Sequence, residues 1–251
     1  MYHVPARFAG QTAIVTGAGS GIGRATAKRL AQEGGRVIAT DLVRARLDEL
    51  AGEVAQFDVT LVPGDITREE TVAALLAAAA GRVDVLANVA GIMDDFLPVG
   101  ELDDGTWERV FAVNLTAVFR LTRAVLPIML NQRRGSIVNV ASEAALRGSA
   151  AGAAYTSAKH AVVGLTKSTA FMYAPHGIRA NAVAPGPVRM SIEARMNSAL
   201  AAARLGPLFT TNMPPIAEPE QLAAAIAWLA SDDAANVTGI VLPSDGGWSA
   251  V

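Results

Sequence analysis

The chain has 251 residues, of which 51% are hydrophobic and 18% are charged, so it can bury a large core and is not intrinsically disordered. Its net charge of -2 offers no basic surface for nucleic acid or for an anionic membrane, and we expect neither as a partner. Cysteine is absent, which excludes a disulfide framework and a thiolate metal site.

Targeting and membrane segments are not expected from the sequence. Residues 1–11 contain no apolar h-region of the kind found in secretory signals. The longest apolar stretch, residues 73–80, is far shorter than the roughly 20 residues that a spanning helix needs. We therefore predict a cytoplasmic protein.

Short apolar or β-branched runs alternate along the chain with longer segments of helical period. The predicted strands are residues 12–16, 36–40, 60–63, 83–87, 136–140, 178–184 and 240–242. The predicted helices are residues 22–32, 43–55, 68–80, 106–130, 154–174 and 221–229. Such alternation predicts an α/β fold whose seven-stranded parallel sheet is doubly wound, with helices on both faces. No repeat or linker interrupts the pattern, so residues 1–251 are predicted to form a single domain.

The segment of residues 189–219 departs from this rhythm, because it combines apolar side chains with several glycine and proline residues. It follows the sixth strand at the carboxyl edge of the sheet, where α/β folds bind ligands. We predict that it is a substrate lid. The alternative is an ordinary surface helix with a connecting loop.

A glycine-rich turn, Thr16-Gly-Ala-Gly-Ser-Gly-Ile-Gly23, joins the first predicted strand to the first predicted helix. Glycine suits this place because a tight turn needs positive φ, and because a Cβ would keep the backbone away from a pyrophosphate. The following helix presents free N–H groups and the positive end of its dipole to the phosphates. The turn therefore predicts a dinucleotide site on a Rossmann fold.

Asp41 closes the second predicted strand, where an acid can accept hydrogen bonds from an adenosine ribose and repels a 2′-phosphate. Ser20 and Leu42 place no cation beside the ribose, whereas Arg44 could lean back towards a phosphate. We therefore favour NAD over NADP. The alternative is that Asp41 is a solvated turn residue.

Two further strand ends carry candidate cofactor contacts. Asp65, after the third strand, can bond an adenine amino group or, alternatively, cap the next helix. The segment Asn88-Val-Ala-Gly91 after the fourth strand has small residues where a cofactor must pass close to the backbone. A plain strand-to-loop turn would have the same composition.

Tyr155 and Lys159 are four residues apart on a predicted helix, so their side chains project from one face. Ser142 follows the fifth strand at the carboxyl edge of the sheet. Asn114 lies within a predicted helix, which asparagine weakens, so it has either a function or a tolerated polar position. No two histidines have ligand spacing, and we expect no metal site.

Together these motifs resemble the short-chain dehydrogenase/reductase family over essentially the whole chain. The matching positions are Thr16-Gly-x-x-x-Gly-Ile-Gly23, Asp65, Asn88-x-Ala-Gly91, Asn114, Ser142, Tyr155-x-x-x-Lys159 and Pro185-Gly186. The resemblance implies a catalytic tetrad of Asn114, Ser142, Tyr155 and Lys159. The expected cofactor-binding residues are Gly17, Ser20, Gly21, Ile22, Gly23, Asp41, Leu42, Asp65, Ile66, Asn88, Ala90, Gly91, Tyr155, Lys159, Pro185, Gly186 and Val188.

The resemblance implies an enzyme that moves a hydride between NAD and a small alcohol or ketone. In that mechanism Lys159 and the nicotinamide favour the Tyr155 phenolate and so lower the pKa of Tyr155. Ser142 then bonds the substrate oxygen, and Asn114 anchors a water that relays protons to solvent. The resemblance also implies a homotetramer, with the fourth and fifth helices at one interface.

Two positions depart from the family pattern. Val89 stands where a second Asn is frequent, and Met190 stands where a Thr often contacts the nicotinamide amide. Met190 cannot donate that hydrogen bond, so either Ser191 or the backbone replaces it, or the nicotinamide ring is held more loosely. Two alternative functions stay open: an NADP-dependent 3-oxoacyl-carrier-protein-type reductase, and a non-catalytic nucleotide-binding scaffold.

Overall fold

The computed structural model describes residues 3–189 and 195–250, and it confirms the predicted α/β architecture. The strands are β1 (Thr12–Thr16), β2 (Arg36–Asp41), β3 (Val59–Pro63), β4 (Val85–Asn88), β5 (Gly135–Val140), β6 (Ile178–Pro185) and β7 (Val241–Ser244). The α-helices are α1 (Gly21–Gln32), α2 (Arg44–Val54), α3 (Glu69–Ala79), α4 (Asp104–Phe111), α5 (Ala117–Gln132), α6 (Ala153–Tyr173), α7 (Ala199–Asn212) and α8 (Pro219–Ala230). Apart from one helix, the predicted boundaries lie within two residues of these.

The seven strands form one parallel sheet in the order β3-β2-β1-β4-β5-β6-β7. Strands β1, β4 and β5 are buried along their whole length, because one apolar cluster covers the sheet with α1, α2 and α8 and another covers it with α3 and α5. The direction of winding reverses between β1 and β4. In doubly wound sheets, ligands bind in the crevice outside the carboxyl ends of the strands at this point.

The prediction of one continuous α-helix over residues 106–130 is wrong. A π-helical turn, Ala112–Thr116, separates α4 from α5, and Asn114 lies buried within it. A π-helical turn widens the backbone ring from i→i+4 to i→i+5 bonding, and such turns are frequent at functional sites. Apolar periodicity did not reveal it, because α4, the turn and α5 together read as one amphipathic stretch.

Helices α4 and α5 with the intervening turn form the one stretch among the described residues that is long and apolar enough to cross a membrane, Asp104–Gln132. Buried side chains such as Leu121, Val125 and Met129 pack with the strands in one of the two clusters that cover the sheet. This stretch is therefore a core helix.

The described part of the predicted lid contains α7 and is closed at its base by backbone pairing. The N–H of Arg189 donates to the Ala217 carbonyl at 2.9 Å. On α7, the Phe209 ring packs edge-to-face against Phe96 and Trp248, with centroid distances of 5.9 and 5.6 Å. The helix is thus tied to the connection after β4 and to the C-terminal segment. The substrate lid stays a prediction, as does the alternative of a surface helix with a connecting loop.

Candidate active site

A cleft of about 400 Å³ opens where the sheet reverses direction, outside the carboxyl ends of β1 and β4. The predicted site residues that line it are Gly17, Ser20, Gly21, Ile22, Gly23, Asp41, Leu42, Asp65, Ile66, Ala90, Gly91, Ser142, Tyr155, Lys159, Pro185 and Gly186. These residues come from six connections or strand ends that are distant in sequence, and from helix α6. The sheet brings them together because the carboxyl ends of parallel strands share one edge.

The glycine-rich turn forms one wall of the cleft. Gly17 has φ +67°, and a Cβ there would lie 2.9 Å from the Cα of Ala90. A Cβ on Gly23 would collide with the carbonyl oxygen of Gly17. Helix α1 begins at Gly21 with no acidic residue in its first turn. Its free N–H groups and positive dipole end therefore meet the cleft without a competing carboxylate, which fits a pyrophosphate.

Thr16 was not among the predicted site residues, although it ends β1. Its Oγ1 accepts hydrogen bonds from the backbone N–H groups of Val89 and Ala90, at 3.0 and 3.1 Å. This hydroxyl ties the turn after β4 to the end of β1. A hydroxyl residue directly before the glycine-rich turn was the available signal.

Asp41 lies at one end of the cleft, and its two carboxylate oxygens accept the N–H groups of Gly19 and Val43 at 3.0 and 2.9 Å. Each oxygen retains a second acceptor position for a ribose hydroxyl. Arg44, the cation that the sequence suggested for a phosphate, is exposed and lies 3.9 Å from Asp48. Arg46 lines the cleft instead. Its position two residues further along α2 turns it back towards the strand end.

The Asp65 carboxylate lines the same end of the cleft and organises its own loop. Its Oδ1 accepts from the backbone N–H of Thr67 at 2.9 Å and from the Thr67 hydroxyl at 2.7 Å. The alternative that Asp65 caps the next helix is wrong, because α3 follows Arg68 and has no side-chain cap, whereas Asp65 bonds Thr67 in the preceding turn. A contact with a ligand stays a prediction.

Three predicted site residues, Asn88, Val188 and Asn114, are not part of the cleft lining. The Asn88 amide donates to Oδ1 of Asn139 at 2.8 Å, inside the sheet. Val188 forms a parallel backbone bridge with Ala217 at the base of the lid segment. The Asn88 side chain and the Val188 backbone therefore support the elements around the cleft. Met190 and Ser191 lie outside the described residues.

Asn114 is buried and its carboxamide binds both backbone groups of Ile92. Its Oδ1 accepts the Ile92 N–H at 2.9 Å, and its Nδ2 donates to the Ile92 carbonyl at 2.8 Å. The π-helical turn therefore fixes the connection after β4. Its Oδ1 and Nδ2 each retain a second hydrogen-bonding position, so the expected role of Asn114 as a water anchor stays a prediction.

Lys159 lies one helical turn after Tyr155 on α6, as predicted. Its Nζ is 5.5 Å from the centroid of the Tyr155 ring and donates to the Val140 carbonyl at 2.7 Å. The Ser142 Oγ accepts from the N–H of Ala144 at 3.1 Å. The phenol, the hydroxyl and the ammonium group thus meet on one side of the cleft.

The protein raises, and does not lower, the pKa of Tyr155. Burial raises this pKa to about 12, a hydrogen bond with Ser142 opposes the rise, and the charge of Asp94 adds to it. Burial also lowers the pKa of Lys159 to about 8. Without a bound cofactor, burial therefore dominates the Tyr155 pKa, and the lowering expected from Lys159 together with the nicotinamide stays a prediction.

Asp94 was not predicted from the sequence. Its carboxylate accepts the backbone N–H groups of Gly152 and Tyr155 at 3.1 and 2.9 Å, at the start of α6. An acidic pair, Asp94 and Asp95, that begins three residues after Gly91 was the only signal. Elsewhere, residues 3–189 and 195–250 contain no group of three histidine, cysteine or acidic side chains placed to hold a metal.

Comparison with known proteins gives consistent matches. The model of the protein family described as short chain dehydrogenase matches residues 11–201. The chain is 41% identical to 3beta-hydroxysteroid dehydrogenase 2 of Eggerthella lenta, over 97% of this chain and 96% of that protein. It is 42% identical to cis-4-hydroxycyclohexanecarboxylate dehydrogenase of Sinomonas cyclohexanicum, over 97% and 98% of the two chains.

A solved structure from Beutenbergia cavernae extends the likeness to three dimensions. It is described as a putative NAD(P) dependent gluconate 5-dehydrogenase with bound NADP at low occupancy. The TM-score is 0.86 and the sequence identity 39%, over 99% of this chain and 100% of that one. The agreement therefore covers the cleft as well as the sheet.

Proposed function

The chain belongs to the short-chain dehydrogenase/reductase family and is an oxidoreductase acting on CH–OH groups, and on this premise we propose that it interconverts a secondary alcohol and the matching ketone with NAD. The observation that supports this most directly is the meeting of Ser142, Tyr155 and Lys159 on one side of the cleft, opposite the glycine-rich turn. The scaffold alternative is excluded, because the chain is an oxidoreductase of this family.

The shape and charge of the cleft favour a dinucleotide. The glycines leave space where a Cβ would collide, and the start of α1 supplies unpaired N–H groups for phosphate oxygens. At the adenosine end, Asp41 disfavours a 2′-phosphate by like-charge repulsion. We propose NAD as the preferred cofactor. The alternative, NADP, is favoured by one observation, the position of Arg46 in the cleft lining.

We propose Asn114, Ser142, Tyr155 and Lys159 as the catalytic tetrad. Bound NAD⁺ supplies the hydride acceptor in alcohol oxidation. Tyr155 accepts the hydroxyl proton of the alcohol and returns it in ketone reduction, while Ser142 bonds the substrate oxygen. Because burial raises the pKa of Tyr155 to about 12, the phenolate depends on three influences that favour it: the hydrogen bond with Ser142, the charge of Lys159 and the positive charge of the oxidised nicotinamide. Asn114 acts by holding Ile92.

We propose an alicyclic secondary alcohol as the substrate class. The two relatives named above act on a hydroxysteroid and on a hydroxycyclohexanecarboxylate, which both carry the hydroxyl group on a saturated ring. The Phe209 contacts make α7 a candidate lid over such a ring. We further propose one domain over residues 1–251, a cytoplasmic location and a homotetramer, as the family resemblance implies.

The test replaces Tyr155 by Phe and measures oxidation of 4-hydroxycyclohexanecarboxylate and a 3β-hydroxysteroid with NAD⁺. Turnover is expected to fall at least about 100-fold, because the proton acceptor is lost, while NAD binding measured by calorimetry persists. Tyr173→Phe, at the other end of α6, is the matched control and retains activity. Undiminished turnover in Tyr155→Phe overturns the mechanism.

Cofactor choice has its own measurement. Wild-type kcat/KM with NAD⁺ is expected to exceed that with NADP⁺ by at least about tenfold, since a like-charge contact costs on the order of 1.4 kcal/mol or more. A preference for NADP⁺ would indicate that Arg46 binds the 2′-phosphate, and it would support the alternative of an NADP-dependent reductase.

A further inference from the structure

Asp94 lies in the connection between β4 and α4 and is 1% exposed. Its Oδ1 accepts the N–H of Gly152 at 3.1 Å and that of Phe96 at 3.3 Å. Its Oδ2 accepts the N–H of Tyr155 at 2.9 Å. A buried carboxylate whose two oxygens bind backbone N–H groups of a distant helix has a specific geometric role.

The helix that receives these bonds cannot cap itself. Helix α6 begins after Gly152, which has no side chain to accept a hydrogen bond, and its first turn contains no acidic residue. The first N–H groups of any helix lack intrahelical partners. Asp94 supplies the acceptor from a position 58 residues earlier, and it places negative charge at the positive end of the helix dipole.

The start of α6 lies so close to the β4–α4 connection that position 152 requires glycine. A Cβ on Gly152 would lie 2.5 Å from Oδ2 of Asp94 and 2.6 Å from the backbone nitrogen of Leu97. The N–H of Ala153 also donates to the Leu97 carbonyl at 2.9 Å. The start of α6 is therefore held against the connection after β4 by the carboxylate and the backbone together.

We propose that Asp94 is a positioning residue, which sets the place of Tyr155 by capping α6 from the β4–α4 connection and disfavours the phenolate by its charge. The proposal rests on the acid–base role proposed above for Tyr155. The N–H that bonds Asp94 belongs to Tyr155 itself, so a displaced cap moves the residue that carries the phenol.

The electrostatic part follows from the surroundings of the phenol. The charge of Asp94 raises the pKa of Tyr155, in the same direction as burial. Among the described residues, the charged side chains near the phenol or beside Asp94 include Lys159 on α6, the ion-paired Glu143 and Arg147 between β5 and α6, and Asp95. Asp94→Asn removes the negative charge at nearly constant size, so it lowers the pKa of Tyr155. Alcohol oxidation needs the phenolate, and its rise with pH therefore moves to lower pH.

The test compares Asp94→Asn with Gly152→Ala in steady-state oxidation of a hydroxycyclohexanecarboxylate. In Asp94→Asn, one acceptor oxygen replaces two and weakens the cap, so the limiting kcat at high pH is expected to fall at least about tenfold, while the pH profile moves towards lower pH. In Gly152→Ala, kcat falls as well, because the cap is displaced, but the profile stays closer to that of the wild type. NAD binding changes less than about twofold in both, since neither residue lines the cleft.

Two matched controls separate this effect from general damage. Asp103→Ala removes a carboxylate cap of the same chemistry from α4, where Asp103 accepts the N–H of Thr106 at 2.9 Å. Gly148→Ala adds a Cβ in the same β5–α6 connection, with no atom within 4 Å. Both controls are expected to keep the wild-type kcat and pH profile.

The proposal is overturned if both Asp94→Asn and Gly152→Ala keep the wild-type kcat and pH profile. It is also overturned if their loss of activity equals the fraction of unfolded protein measured by circular dichroism. If Gly152→Ala does not fold, Asp94→Asn decides the question, because asparagine retains one acceptor at the cap. An active Tyr155→Phe variant overturns the proposed function instead, whatever the Asp94 variants do.

Discussion

The backbone N–H of Gly19 donates to Oδ2 of Asp41 at 3.0 Å, which ties the glycine-rich turn to the end of β2. Space at this contact is tight, since a Cβ on Gly19 would lie 2.7 Å from the Asp41 carboxyl carbon. The glycine-rich turn is therefore bonded directly to Asp41, the residue proposed to select the cofactor. A change at Asp41 is expected to alter both cofactor choice and the order of the turn.

We predict that Asp41→Ala weakens the preference for NAD⁺ over NADP⁺ by about 10- to 100-fold in kcat/KM. The physical reason is that the like charge facing a 2′-phosphate is removed while Arg46 remains. Adding Arg46→Ala is expected to abolish the gain with NADP⁺. Arg44→Ala is the control, because Arg44 is exposed and lies near Asp48. An unchanged cofactor ratio in Asp41→Ala would contradict the assignment.

The rate of alcohol oxidation is predicted to rise with pH between about 7 and 9, whereas ketone reduction stays nearly flat. Burial raises the pKa of Tyr155 to about 12, so the phenol is protonated throughout this range and ready to donate. Oxidation needs the phenolate, whose fraction rises about tenfold per pH unit below the pKa. Profiles of kcat in both directions test this. A flat oxidation profile would refute it.

Lys159→Met is predicted to lower oxidation turnover by about 100-fold or more, through loss of the cation beside the phenol. Burial lowers the pKa of Lys159 to about 8, so the wild-type group loses its charge as pH rises through that value. The mutational effect should therefore shrink above about pH 8. The control is Lys167→Met, an exposed lysine on the same helix. A constant effect across pH would show that charge is not the cause.

Asn114→Ala is predicted to destabilise the protein by about 2–4 kcal/mol, because a buried N–H and a buried carbonyl of Ile92 both lose their partner. Denaturant unfolding measures this change. Asn131→Ala, at an exposed position on α5, should stay within about 0.5 kcal/mol of the wild type. Equal stabilities of the two variants would mean that the Ile92 contact contributes nothing.

Phe209→Ala is predicted to raise the substrate KM by about 5- to 50-fold with little change in NAD binding. The change removes two edge-to-face ring contacts, to Phe96 and Trp248, each contributing about 0.5–1.5 kcal/mol. Leu208→Ala, at the adjacent and more exposed position, serves as the control. If the NAD dissociation constant changes as much as the substrate KM, α7 does not act as a substrate lid.

The parts of the site that lie within one short segment were predictable, because contiguous residues form them. Strand, glycine-rich turn and helix occur in that order around Gly17, and the four-residue spacing of Tyr155 and Lys159 fixes a common helix face. The parallel, doubly wound sheet of seven strands followed from the alternation of strands and helices together with the right-handed crossover rule. These are short-range or statistical regularities, and one sequence is enough to apply them.

Other features depend on contacts between distant segments. Asn114 was noticed as unsuited to an α-helix, but the π-helical turn and its bonds to Ile92 needed the fold. The cap of α6 by Asp94 spans 58 residues, and Arg46 replaces Arg44 in the cleft only through the path of α2 after β2. The direction in which the Tyr155 pKa shifts also depends on burial, which no local sequence pattern specifies.

The sequence by itself determined the sheet, the glycine-rich turn and the common helix face of Tyr155 and Lys159, because covalent spacing and backbone preference decide these locally. Only the tertiary structure decided how α6 is capped, what holds Ile92 and which protein groups act on the phenol. The physical reason is that hydrogen bonding and desolvation depend on what lies within a few ångströms in space, whatever the separation along the chain.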